Sequence, residues 1–310
     1  MKRIFYFILL VAGLSSIHSC KDMLDDDGDP LIDLNETSGL TGPRALYREI
    51  TDKDTLAEYH YSGLLLTKVL MDSASVADIA YSGDKISQIT FNGFLDLDGN
   101  GKLDKDSVNY TQLFTYGPNG KLVTISENRS IFRRPAPVPP ATDPGPQTLL
   151  RQEKASYEIK YNASTAKLDS IKMKRGVEVP GTAFANNEYA LIGFTYLGDN
   201  VSKAQKFSGP ITAGVPGTAN LKYSYEYTSY DNEISPFTLL PAAYKISRLI
   251  STKFNEKESH IFSPNSPKRV LVTDLIPPLP TSVLRSTNYN YDLQTYMTRG
   301  FGINYIYKPL

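Results

Sequence analysis

The sequence predicts an all-β protein, an antiparallel meander of repeated β-hairpins that forms a large twisted or rolled sheet with irregular loop insertions. Three observations predict it. The 310 residues hold 21 Tyr and 13 Phe but no Trp, and Tyr and Phe are strong strand formers. Aromatic and branched residues recur at every second position, as in Tyr59 and Tyr61, Ile79 and Tyr81, Phe114 and Tyr116, Ile159 and Tyr161, and Phe194 and Tyr196, the period of one face of a strand. A unit then repeats: each of five tyrosines is followed by a Gly-, Asn- or Ser-containing turn and two apolar residues three positions apart.

The first element is not part of that sheet. Lys2 and Arg3 precede an apolar run from Ile4 to Ile17. It is short of the roughly 20 residues that span a bilayer, and it has the order of a secretory signal peptide. The run ends at Ile17-His18-Ser19-Cys20, and Cys20 is the only cysteine in the chain. These residues resemble the lipobox of bacterial lipoproteins. The resemblance implies removal of residues 1–19, lipid attachment at Cys20 and a membrane partner reached through the anchor. Several acyl chains on one terminus anchor stably where one does not. Residues 20–50 begin with Asp22, Asp25, Asp26, Asp27 and Asp29; with little to bury, they are expected to form a flexible acidic tether. The Lys21-Asp22 pair after the cysteine resembles the surface-export signal of Bacteroidota lipoproteins, which implies an outer-membrane lipoprotein exposed at the cell surface.

Residues 51–310 form the predicted hairpin domain. Its repeats place Leu66 and Val69 after Tyr61, Ile86 and Ile89 after Tyr81, Leu122 and Ile125 after Tyr116, Leu168 and Ile171 after Tyr161, and Val201 and Ala204 after Tyr196. The intervening "SGD", "GPNG" and "LGDN" carry the residues that tight turns require. Single hairpins are not stable, so successive units must stack into one sheet and bury the aromatic stripe.

Between two repeats lies "DLDGNGKLDKDS", Asp96 to Ser107. Its spacing matches a calcium loop, with Asp96, Asp98 and Asn100 at positions one, three and five, the carbonyl of Lys102 at seven and Asp104 at nine. The loop resembles the EF-hand and dockerin type, and the expected cofactor is a weakly held Ca2+. Ser107 stands where the acidic twelfth ligand of such loops belongs. Residues 133–150 contain a Pro-rich stretch, "RRPAPVPPATDPGPQ", read as a loop inserted between neighbouring strands. "AAYKISRLISTKF" has the composition of a short helix.

Other function classes have little support. Without residues 1–19 the chain carries 31 basic and 33 acidic residues, a formal charge of −2. That balance gives no footprint for nucleic acid. His60 and His260 are the only histidines after Cys20. No nucleophile elbow, phosphate loop or zinc-type cluster is present in the sequence, so an enzyme is not expected. Thr55, Ser73, Ser107 and Ser170 each follow Asp and precede an apolar residue. This resembles the O-glycosylation acceptor of exported Bacteroidota proteins.

The repeats, the lipobox and the "YDNEISPF" segment from Tyr230 together resemble a family of uncharacterised Bacteroidota surface lipoproteins with YD-like β-hairpin repeats. The naming aspartate is replaced here by Ser82, Gly117, Asn162 and Leu197. The likeness implies a fold and a location, and no activity. The expected role is non-catalytic, a surface interaction or structural one. The alternative is capture of a glycan or peptide, accessory to an outer-membrane transporter.

Overall fold

Each repeat contains a β-bulge, and the bulge explains why its two apolar anchors stand three residues apart. The computed structural model describes residues 44–99, 102–134, 145–252 and 255–309. In the hairpin of β2 (Thr55–Ser62) and β3 (Leu65–Met71), His60 pairs with Lys68 and Tyr61 with Leu66, so Thr67 is left out of the ladder. A spacing of three would put Leu66 and Val69 on opposite faces of a regular strand. The extra residue returns both to the same face.

The same shift recurs at Tyr81 between β4 (Ser75–Ser82) and β5 (Lys85–Phe94). It recurs at Tyr116 between β6 (Ser107–Tyr116) and β7 (Leu122–Arg133), and at Tyr161 between β8 (Thr148–Tyr161) and β9 (Leu168–Val177). A fifth copy lies at Tyr196 between β10 (Glu188–Leu197) and β11 (Asn200–Thr212). All ten apolar anchors are buried. Where the extra residue has a hydroxyl, it donates back across the hairpin: Thr67 to the His60 carbonyl at 3.2 Å, Ser87 to Ala80 at 3.3 Å and Ser202 to Thr195 at 3.2 Å.

Successive hairpins pair edge to edge, which gives the expected antiparallel meander in one sheet of 18 strands. From β11 the sheet continues through β13 (Asn220–Tyr230), β14 (Pro267–Asp274) and β15 (Thr281–Ser286), with β12 (Val215–Pro216) as a short flap on β11. At the other end β1 (Arg44–Ile50) pairs with both β2 and β18 (Ile303–Pro309), and β18 leads to β17 (Met297–Gly300) and β16 (Asn290–Tyr291). The sheet therefore rolls far enough to bring the two termini of the domain side by side. No pairing joins β15 to β16 among the described residues, and the sheet is not closed into a barrel.

Two boundaries follow. The expected tether, residues 20–50, is too long: Arg44–Ile50 is a strand flanked on both sides, with Ala45, Leu46 and Tyr47 buried. The segment "RALYREI" has no period-two alternation, since Ala45, Leu46 and Tyr47 are apolar in succession. The Pro-rich segment does join neighbouring strands, because Arg133 pairs with Thr148 across it; residues 135–144 lie outside the described residues.

The concave side of the sheet is filled by a helix, Ala242–Ile250, the segment whose composition suggested one. Nine residues are too few to be helical alone in water. Burial holds this helix, since Ala243, Tyr244, Ile246, Leu249 and Ile250 all pack into the core formed by the repeats. The convex side is of opposite character. Asn109 and Thr115 of β6, Thr124, Ser126 and Asn128 of β7, Ser156, Glu158 and Lys160 of β8, and Lys172 and Lys174 of β9 all point to solvent. Over β6 to β9 the outward face is therefore mostly polar, with Leu113 exposed among these residues, and the inward face is mostly apolar.

Candidate functional site: the acidic loop and the tyrosine ladder

The acidic loop connects β5 to β6. Asp96, Asp98 and Asp104 bring one carboxylate oxygen each to within 4.8 Å of one another. Backbone hydrogen bonds shape the loop: Asp96 Oδ1 accepts from the Gly99 amide at 2.7 Å, and Asp104 Oδ2 accepts from Leu97 at 2.7 Å. The Asp104 amide donates to the Leu95 carbonyl at 3.0 Å, which draws the two ends of the loop together. Gly99, at φ 81°, supplies a left-handed turn that a side chain would resist.

Oxygens around a cation at the ~2.3–2.6 Å of calcium lie at most about 5 Å apart. The span of 4.8 Å is compatible with that. Of the five expected ligands, three are therefore together. Lys102 lies exposed in the same loop, and Asn100 lies outside the described residues. The twelfth position is committed elsewhere. Ser107 begins β6 and its hydroxyl accepts a bond from Gln147, while Asp106 makes a two-pronged pair with Arg133 at 2.9 and 2.7 Å. That guanidinium holds the Asp106 carboxyl below its ordinary range. The loop can offer three carboxylates to one face of a cation.

The repeat tyrosines form a second constellation along one rim of the sheet. Three of the five hydroxyls reach back to a main-chain carbonyl of an earlier strand. Tyr61 donates to the Leu46 carbonyl at 3.0 Å, Tyr81 to Leu66 at 3.0 Å and Tyr116 to Ile86 at 2.9 Å. Tyr230 and Tyr289 continue the pattern onto Val201 and Pro267. The acceptor on Leu66, Ile86 and Val201 is always the first apolar anchor of the previous repeat. Lysines from the turns then cover the rings: Lys85 lies 5.4 Å from the centre of Tyr116, Lys121 4.8 Å from Tyr161 and Lys167 5.4 Å from Tyr196. Such contacts contribute about 0.5–1 kcal/mol each at exposed sites. Burial raises the hydroxyl of Tyr116 to about 12, with those of Tyr61 and Tyr196 higher still. Tyr61 and Tyr116 have both hydroxyl and ring face engaged by the protein itself, Tyr81 its hydroxyl, and Tyr161 and Tyr196 a ring face.

The remaining expected positions are scattered. Thr55 is exposed at the start of β2, and Ser73 lies in the 3₁₀ turn Asp72–Ala74 between β3 and β4. Ser170 is buried in β9 and donates to Asp169 at 3.0 Å. Of the expected glycan acceptors it is, among the described residues, the one that the folded sheet encloses. Cys20 lies outside the described residues.

Sequence reasoning missed the charged groups inside the sheet. Arg129 of β7 bonds Glu127 at 2.9 Å and the carbonyl of Ser251, past the end of the helix, at 2.8 Å. Glu127 accepts from Gln112 at 2.7 Å, and Gln112 accepts from Ser247 of the helix at 2.5 Å. A second cluster joins Arg248 of the helix to Glu49 at 2.7 Å and to Glu258 at 2.8 Å. The inward phase of "ISENRSI" in β7 was the available signal, since Ile125, Glu127, Arg129 and Ile131 share one face.

No protein-family model matches this chain, and no curated protein matches it. Among solved structures it is similar to a porin-like protein from Bacteroides vulgatus ATCC 8482, with a TM-score of 0.46 and 10% identity. The alignment covers 86% of this chain and all of that one. At that distance the likeness carries no functional argument.

Proposed function

We propose that the protein is a non-catalytic, lipid-tethered β-repeat protein of the outer membrane, with a structural or surface-interaction role and a calcium-supported loop. The observation that carries this reading is the inverted polarity of the rolled sheet. A barrel that spans a membrane turns an apolar belt outward and a polar lining inward; here Lys, Glu, Asn, Ser and Thr face outward along β7 to β9 and a helix fills the inside. A sheet of this kind belongs beside a bilayer and needs a separate means of staying there. The lipobox-like residues ending at Cys20 supply one. Residues 21–43 then span at most about 80 Å if fully extended, enough to lift the domain clear of the headgroups.

The tyrosine ladder favours this role over glycan or peptide capture. Aromatic platforms that bind sugars leave a ring face free, whereas lysines lie over the rings of Tyr116, Tyr161 and Tyr196 and the hydroxyls of Tyr81 and Tyr116 are bonded to main-chain carbonyls. Metabolic labelling with a palmitate analogue tests the tether. Label is expected on the wild-type chain and not on Cys20→Ala, and equal labelling of both would refute it.

A further inference from the structure

Behind the end of the helix the interior is not fully packed. A cavity of about 120 Å³ lies between the C-terminal end of the helix and the concave faces of β7 to β11. One water needs ~10–15 Å³ on this measure, so the space admits a molecule of several heavy atoms. Its walls are of two kinds. Ile131, Ile171, Ile192 and Ile250 give an apolar side, and seven charged residues line the rest.

Two features point to a ligand. Glu256, at the start of the 3₁₀ segment Asn255–Phe262, is 3% exposed, and its Oε1 takes the Lys206 ammonium while its Oε2 has no partner. A buried carboxylate oxygen without a donor is costly, and burial pushes this carboxyl above its ordinary range. The negative end of the helix dipole adds to the preference for a cation there. At the mouth, Arg151 is 46% exposed and gives Nε to Glu153, leaving the outer edge of its guanidinium without a protein partner among the described residues. The lining charges are Arg129, Arg151, Arg175 and Lys206 against Glu153, Glu188 and Glu256, and Glu127 lies behind Arg129. With that carboxylate counted the charges balance, which disfavours a ligand with net charge.

We propose that this cavity binds a small amino-acid-like zwitterion, its ammonium on Glu256 Oε2, its carboxylate on Arg151 and its short apolar body against Ile131, Ile171 and Ile192. No bond is made or broken, and the site is independent of the tether. Isothermal titration of the purified protein with L-valine, propylamine and propionate tests it. Valine is expected to bind in the millimolar range or tighter, and the two half-molecules at least about tenfold more weakly, since each lacks one charged hydrogen bond. Arg151→Ala, a change at the exposed mouth, should weaken valine by about tenfold and leave propylamine unchanged. Glu256→Gln should weaken both amines. The proposal is overturned by the absence of any valine signal, by propylamine binding as tightly as valine, by Arg151→Ala leaving valine unaffected, or by ordered water alone in a valine-soaked crystal.

Discussion

At the scale of single residues, the ladder hydroxyls and one histidine make separable claims. Tyr116→Phe removes one hydroxyl and leaves the ring under Lys85, so it isolates the bond to the Ile86 carbonyl. Unfolding in urea is expected to report a loss of about 1 kcal/mol, the usual net worth of such a bond plus an unpaired carbonyl. An unchanged midpoint would show that the hydroxyl is dispensable. His260 is half-buried between Tyr227 and Phe237, and its desolvation there lowers it to about 4 from its ordinary value near 6.5. Between those values the unfolded chain binds a proton that the folded chain refuses, so stability falls as pH falls through that window. The full effect is about 3 kcal/mol, at a slope of up to ~1.4 kcal/mol per pH unit. Comparing urea midpoints of wild type and His260→Phe from pH 7 to pH 4 checks it, and the variant is expected to lose less stability on acidification. Parallel curves would mean that other groups carry the acid limb.

At the scale of elements, the hairpins were legible in the sequence and their bulges were not. The spacing of three between apolar anchors was visible, but it has two readings, a helical turn or a strand with an extra residue, and only the ladder partner of Tyr61 or Tyr116 decides between them. The helix was legible by composition. Its clamps were not, because Glu127 and Arg129 are polar residues at inward positions of β7 and look like surface until the helix is placed against them. The convergence of Asp96, Asp98 and Asp104 was legible because all three come from one short segment. The engagement of Asp106 by Arg133, 27 residues away, could not be read from the loop itself. For this element, calorimetric titration with calcium is expected to show weak binding to the wild type, in the ~10⁻⁴–10⁻³ M range of extracellular modules. Asp98→Ala should abolish it by removing one of three convergent carboxylates. Identical flat traces for both proteins would refute a calcium role.

At the scale of the whole molecule, the decisive feature is which side of the sheet is greasy. The closing contact of β1 with β18 joins Arg44 to Pro309; nothing local in the sequence announces a pairing across so long a separation. The polarity, by contrast, was latent in the period-two pattern, since tyrosines and isoleucines alternate with Ser, Thr, Lys and Glu. Polarity without the roll does not say which face is concave, and the helix supplies that answer by occupying it. The central claim is thus a polar-surfaced β domain held at a membrane only by its amino terminus. Its most direct test is to export residues 21–310 behind a cleavable signal peptide that lacks a lipobox, and to fractionate the cells beside those making the full chain. The account predicts the full chain in the membrane fraction and residues 21–310, folded, in the soluble periplasmic fraction without detergent. Recovery of residues 21–310 with the membranes, released only by detergent, would contradict it.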